Sequence, residues 1–239
     1  MKILLFQFTR NKKKAELNLK EFRSTFLKFN LDPEMISIPA VDYEPSKDEF
    51  KKYDRVIFSG SEFSFEGKNE TEEVRRTARE IAERFKDFVF KLKEHSTPSL
   101  AICFGHQLWA YLHNSKVAQI EEMGKAGTFK VFLTDEGKTS PILKNLQSEF
   151  YAGYMHQDAA CAKPKKARIL AQGHRCKYAM LDYGNNSLTT QFHPEFSKEA
   201  LQKRKELYPK YFENQIEPQS DFKDTSEAQK ILRNFIIEL

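Results

Sequence analysis

Along the first hundred residues, unbroken apolar runs alternate with stretches in which apolar residues recur every three or four positions. Ile3 to Phe8 is apolar at every position except Gln7, the pattern of a strand buried on both faces. Ala15, Leu19, Phe22, Phe26 and Phe29 then fall on one stripe of a helix. Arg55 to Phe58 predicts the next strand, which runs into Ser59-Gly60-Ser61. Val74, Ala78, Ile81, Phe85, Val89 and Leu92 mark a long helix. Asn69 or Thr71 is its expected cap, and Glu72 and Glu73 suit the positive end of its dipole. Pro98 closes that segment, and Leu100-Ala101-Ile102 is a third strand that ends on Cys103. This β-α-β-α-β order predicts an α/β fold: three layers, a mostly parallel central sheet and helices on both faces.

The second half reads as strand-rich. Short candidates are Phe129 to Leu133, Glu149 to Tyr154, Arg168 to Ala171, Tyr178 to Leu181 and Ser187 to Phe192. Asp182-Tyr183-Gly184-Asn185-Asn186 between the last two predicts a hairpin turn. Ala228, Ile231, Leu232, Phe235 and Ile236 make a closing amphipathic helix, with Thr225 or Ser226 as cap. Pro209 and Pro218 bracket a polar segment before it, expected to be a loop or short extension. The organisation expected is one domain over residues 1–239, with a C-terminal extension from about residue 205.

Composition narrows the function classes. Of the 239 residues, 40% are hydrophobic and 31% charged, which suits a globular chain with a sizeable core. No apolar run reaches the roughly 18–20 residues of a membrane span, and the N-terminus lacks the features of a signal peptide. The three cysteines, Cys103, Cys161 and Cys176, have no paired spacing, which predicts a reducing, cytoplasmic setting. The net charge of +5 comes from lysines interleaved with glutamates, as on a solvated face. Lys163-Pro164-Lys165-Lys166, the densest basic cluster, reads as a solvated loop, so neither nucleic acid nor membrane is an expected partner. His174 and Cys176 lack further ligands at suitable spacing, and neither a metal nor a cofactor is expected.

Two stretches carry chemistry. In Leu100-Ala101-Ile102-Cys103-Phe104-Gly105-His106-Gln107 an apolar strand ends on a cysteine and a helix begins at once. Such a turn holds a nucleophile at the mouth of a sheet, and the small residues Ala101 and Gly105 let strand and helix approach. The helix N-terminus would stabilise a thiolate, and the Phe104 N–H would face a developing oxyanion. Taken alone, Cys103 is more ordinarily a small buried hydrophobe. Gln191-Phe192-His193-Pro194-Glu195 changes that weighting. Positions i and i+2 share one face of an extended segment, so His193 could serve Cys103 as base while Glu195 fixes its tautomer.

Cys103-Phe104-Gly105-His106-Gln107 together with His193-Pro194-Glu195 resembles the C-x-G-H-Q and H-P-E signatures of the class I glutamine amidotransferase family, closest to stand-alone members similar to the glutaminase part of GMP synthase. Arg55 to Ser61 corresponds to that family's oxyanion strand and loop, and Met155-His156-Gln157-Asp158 to its H-x-D segment. The resemblance implies a flavodoxin-like amidotransferase fold. It implies that Cys103 attacks the side-chain amide of glutamine to form a γ-glutamyl thioester, with His193 and Glu195 completing the triad. Phe104 and either Gly60 or Ser61 would supply the oxyanion hole. Gln107 and the backbone around Gln157 and Asp158 would hold the substrate's α-amino and α-carboxylate ends. His106 is expected to be structural, and His156 and Asp158 fit an architectural role equally well.

Departures from the family pattern are Ser61 in place of a glycine, Glu62 in place of a proline, and Asn114-Ser115 in place of a glycine pair. Glu62 is expected to point outward. Ammonia would pass to a separate synthetase subunit, since no synthetase segment follows Leu239. The alternatives are a stand-alone γ-glutamyl hydrolase or peptidase, and a non-catalytic binding module on the same fold.

Overall fold

The computed structural model describes residues 1–67, 70–119 and 123–239. Its first half is the expected alternation: β1 (Lys2–Phe8), α1 (Lys12–Lys28), β2 (Glu34–Pro39), β3 (Arg55–Ser61), α2 (Glu72–Glu94), β4 (Ser99–Ile102) and α3 (Phe104–Leu112). There follow β5 (Val117–Gln119), β6 (Lys125–Leu133), α4 (Asp135–Lys138), β7 (Glu149–His156), β8 (Asp158–Ala160), β9 (Arg168–Gly173), β10 (Cys176–Asp182) and β11 (Ser187–Thr190). Helices α5 (Lys198–Leu207), α6 (Pro209–Glu213) and α7 (Ser226–Ile237) complete the chain.

Nine strands form one sheet in the order β2-β1-β3-β4-β11-β10-β9-β6-β7. The five from β2 to β11 pair in parallel, and the pairings beyond β11 are antiparallel. Because β9 and β7 are each reached by an even number of reversals, they point the same way as the first five. The sheet is therefore mostly parallel in direction. β5 and β8 form a separate antiparallel pair.

The two faces of β1 sort its side chains into two cores, as the period of two requires. Ile3 and Leu5 join Phe22 and Phe26 of α1 and Ile231, Leu232 and Phe235 of α7. Leu4, Phe6 and Phe8 join Phe85, Phe88 and Val89 of α2 and Leu108 and Trp109 of α3. Phe6 meets Phe85 and Phe88 edge-on at 5.0 and 5.3 Å, a geometry that aromatic quadrupoles favour.

Several expectations are met in detail. Thr71 caps α2 by accepting from Val74 N at 3.3 Å, while Asn69 lies outside the described residues. Asn185 and Asn186, at φ of 54° and 57°, and Gly184, at 81°, make the hairpin between β10 and β11. Others are corrected. Strand β11 stops at Thr190, so His193-Pro194-Glu195 lies on a loop, pinned to Gly153 of β7 by one isolated bridge. Thr225 holds the N-cap position of α7 as expected, but its side chain makes no capping bond: the buried hydroxyl donates to Phe196 O at 2.7 Å instead. The segment after Tyr208 is not simply a polar loop. It forms α6, whose Phe212 packs with Phe196, Leu201 and Phe222 in a third apolar cluster.

Candidate active site

Between β4 and α3 the chain turns at Cys103, which adopts φ 53° and ψ −102°. A side-chain-bearing residue at positive φ is strained, and such strain gathers at working sites. The turn is tight: a Cβ on Gly105 would stand 2.8 Å from Phe58 O and 3.2 Å from the Ala101 Cβ. The small residues at Ala101 and Gly105 are thus what lets α3 start so close to β3 and β4. Cys103 is 4% exposed, and its Sγ lies 3.7 Å from Met155 O.

The loop beyond β11 brings its imidazole to the same point. A Cβ on Gly60 would be 3.4 Å from the Cys103 Cβ, 3.0 Å from His193 Cε1 and 3.7 Å from His193 Nε2. Gly60 therefore has the cysteine and the Nε2 edge of the ring as its neighbours, in space that a larger residue would take. His193 Nδ1 lies 2.7 Å from Glu195 Oε1, both residues being buried. That contact makes Nδ1 the donor to the carboxylate and leaves Nε2 on the edge of the ring that faces Cys103. Burial works against a charged ring, yet the Glu195 carboxylate and Cys103 outweigh it and push His193 up to about 9. The loop is held from both termini of the chain. Thr25 of α1 donates to Glu195 O at 3.3 Å, and Gln229 of α7 donates to Thr25 Oγ1 at 3.2 Å.

The cleft over Cys103 encloses about 530 Å³ and is lined by Gly60, Ser61, Phe104, Gln107, Gln157, Asp158, His193 and Glu195 among others. The residues expected to form the triad, the oxyanion hole and the substrate contacts thus converge on one cavity. Their roles within it differ. The Asp158 carboxylate is fixed by Ser64 Oγ at 2.5 Å and Phe65 N at 3.0 Å, while its Oδ1, though buried, is unpartnered among the described residues. Gln107 Nε2 donates to Asp158 O at 2.7 Å and to Gln191 Oε1 at 3.3 Å, so its amide braces the β7–β8 turn. His106 Nδ1 meets Thr189 Oγ1 at 2.8 Å and His156 Nδ1 meets Asp158 O at 2.9 Å. Burial drives each of these rings down to about 3, leaving them neutral parts of the frame. Glu62 lines the cleft, but its carboxylate is tied back to Thr9 Oγ1 at 2.9 Å and Lys14 Nζ at 2.8 Å.

Other wall residues carry no local signature in the sequence. Arg204 of α5, Tyr208 beside it and Tyr211 of α6 line the cleft, as does Val74 of α2. Arg204 and Glu21 form a buried ion pair across 183 residues of chain, a separation that no spacing rule reaches.

Residues 18–206 match the profile of the family described as glutamine amidotransferase class-I. The chain belongs to that family. Among its relatives, a glutamine-hydrolysing GMP synthase component of Sulfurisphaera tokodaii is 30% identical over 167 residues, 69% of this chain and 80% of that protein. "Gamma-glutamyl peptidase 4" of Arabidopsis thaliana is 26% identical over 205 residues, 84% of this chain and 78% of that one. Among solved structures, a glutamine amidotransferase from Thermotoga maritima superposes with a TM-score of 0.73 at 16% identity, covering 100% of this chain and 96% of its own. At that identity the likeness speaks for the fold, an α/β sheet of the class I glutamine amidotransferase type. Among the described residues no helix is long and apolar enough to cross a membrane.

Proposed function

We propose that this class I glutamine amidotransferase relative is a cysteine-dependent amidohydrolase that cleaves the γ-amide of glutamine and releases ammonia for a separate synthetase subunit. The observation that carries the reading is the turn at Cys103, which sets the thiol and His193 around Gly60 while Glu195 holds the far side of the ring. The Cys103 sulfur, its proton already held on His193 Nε2, attacks the γ-carbonyl carbon. The carbonyl oxygen gathers negative charge opposite the N–H groups of Phe104 and of Gly60 or Ser61. The C–N bond breaks, and His193 hands its proton to the departing nitrogen. Water, deprotonated by His193, then attacks the thioester carbon; the C–S bond breaks, the proton stays with the pair of His193 and the released sulfur as at the start, and glutamate leaves. The Asp158 carboxylate, fixed by Ser64 and Phe65, suits the substrate's α-ammonium group, and the Gln157 backbone its α-carboxylate. The three free cysteines suit the reducing cytoplasm.

A second reading has its own support. The cleft of about 530 Å³ is walled in part by Tyr208 and Tyr211, which lie beyond the end of the family profile at residue 206. An ammonia leaving group needs no such wall, whereas the amine of a γ-glutamyl peptide would fill it. The discriminating experiment follows glutamate release from glutamine and from γ-glutamyl dipeptides, with wild type and Cys103→Ala. Turnover of glutamine that rises when a synthetase is added supports the amidotransferase. Turnover of dipeptides alone supports the peptidase. Wild type and variant behaving alike on every γ-glutamyl compound would leave a binding module.

A further inference from the structure

One hydrogen bond to Glu195 fixes an edge of the His193 ring but leaves its plane free to swing about that bond. The plane is set by Phe196, whose ring lies parallel to the imidazole, with centroids 4.0 Å apart and an interplanar angle of 3°. The Arg204 guanidinium carbon lies 4.2 Å from the centroid of the same phenyl ring. Two groups that close to one ring centre cannot share a face, so Phe196 is sandwiched between imidazole and guanidinium. The guanidinium is fixed in turn by Glu21 and by Asn18 Oδ1 at 2.9 Å. Asn18 donates to Gln7 Oε1 at 3.2 Å, which ties the stack to β1.

All members of this stack are buried: Phe196, Arg204, Glu21, Asn18 and Gln7 each expose less than a tenth of their surface. A buried ion pair is a poor way to fill space, since an aliphatic side chain would pack there without desolvating two charges. A guanidinium does offer what an aliphatic chain cannot. It is a flat plate that stacks on an aromatic face while its Nη2 donates to two acceptors, Asn18 and Glu21.

We propose that Arg204 is a positioning residue for His193: it clamps Phe196 against the imidazole and so holds Nε2 toward Cys103. This rests on the reading of Cys103 and His193 as the reacting pair. Arg204 stands in the cleft wall but exposes only 2% of its surface, so it acts on the chemical step through Phe196 and not on the γ-glutamyl contacts. Its loss should therefore lower kcat and leave KM nearly unchanged.

The test uses the full chain, with glutamine and a γ-glutamyl dipeptide as substrates, and Cys103→Ala as the control for thiol-dependent turnover. Arg204→Met and Phe196→Leu should each lower kcat about tenfold or more, the cost of a small misplacement of a reacting group, with KM within about twofold. Arg204→Lys, which keeps a cation over the ring, should recover part of the loss. The double variant Arg204→Met/Phe196→Leu should be no slower than the worse single variant, because both break one clamp. If Arg204→Met leaves Glu21 unpaired and fails to fold, the Glu21→Gln/Arg204→Met variant removes the orphaned charge and takes its place. Unchanged kcat in a folded Arg204 variant, or strictly additive losses, overturns the clamp while leaving the thiol chemistry standing. A wild type without Cys103-dependent turnover overturns both.

Discussion

Burial by itself would strip the proton from His193, yet Glu195 and Cys103 together hold it on, up to about 9. This has a consequence for rate. On the proposed mechanism the leaving nitrogen takes its proton from the imidazolium, so kcat/KM should decline as pH rises past about 9. Replacing Glu195 by Gln removes the largest stabilising charge, and the alkaline limb should move toward the ordinary 6.5; a limb that stays in place would contradict the assignment. The stability sign agrees: a folded value above the unfolded one contributes below about 6.5 and is lost as pH rises through about 9. Lys125 has the opposite balance. Its Nζ is buried, has no hydrogen-bond partner among the described residues, and rests 4.6 Å from the Tyr154 ring centroid. Burial lowers it from 10.5 to about 8. The unfolded chain holds this proton more tightly, so the residue costs stability below about pH 8, a penalty that fades as pH climbs to 10.5. Lys125→Met should stabilise the fold by up to roughly 3 kcal/mol at pH 7 in urea melts, and by much less near pH 10.

At the scale of elements, the turn from β4 into α3 is the most constrained junction. A methyl group at Gly105 would press on Phe58 O at 2.8 Å and Phe58 Cβ at 2.9 Å. Gly105→Ala must therefore lift α3 from β3, and we expect a loss of roughly 1–3 kcal/mol in urea together with impaired turnover. The α6 helix makes a separable contribution. Tyr211 reaches the cleft from an element anchored by Phe212 in its own apolar cluster, so removing the ring should spare the core. Tyr211→Ala is expected to raise KM for γ-glutamyl dipeptides several-fold while changing glutamine turnover little; equal effects on both substrates would argue against a wall for the amine side.

The same elements show what was legible in the sequence. Strands β1, β3 and β4 were readable because burial on both faces leaves nearly uninterrupted apolar runs. Cys103, His193 and Glu195, the proposed triad, could be singled out because their motifs are local: strand, cysteine, glycine and helix in five residues, then a histidine and glutamate two apart. Strand β2 was not. It is a short edge strand in which Met35 alone is fully buried, so it lacks the apolar density that marks the others. The expected strand around His193 also failed, because β11 ends at Thr190 and the loop is shaped by contacts with α1, β7 and α7. Arg204, Tyr211 and Glu21 carry no motif. Their meaning comes from partners far away in the chain, and tertiary packing alone brings them to the cleft.

For the molecule as a whole, the sheet does one job for the chemistry. Four of its five parallel strands precede Cys103, and the later strands and the two chain termini close around that point, carrying His193 in from ninety residues away. This makes reactivity a property of place and not of exposure. Cys161 is more accessible than Cys103, and Cys176 is as deeply buried, with its thiol driven up to about 11 by that burial. The most direct measurement is therefore mass spectrometry of the protein after brief treatment with an electrophilic analogue of glutamine. Modification of Cys103 alone, at a rate that falls sharply in His193→Ala, is the expected result. Labelling that favours Cys161, or that proceeds equally well without His193, would contradict the account.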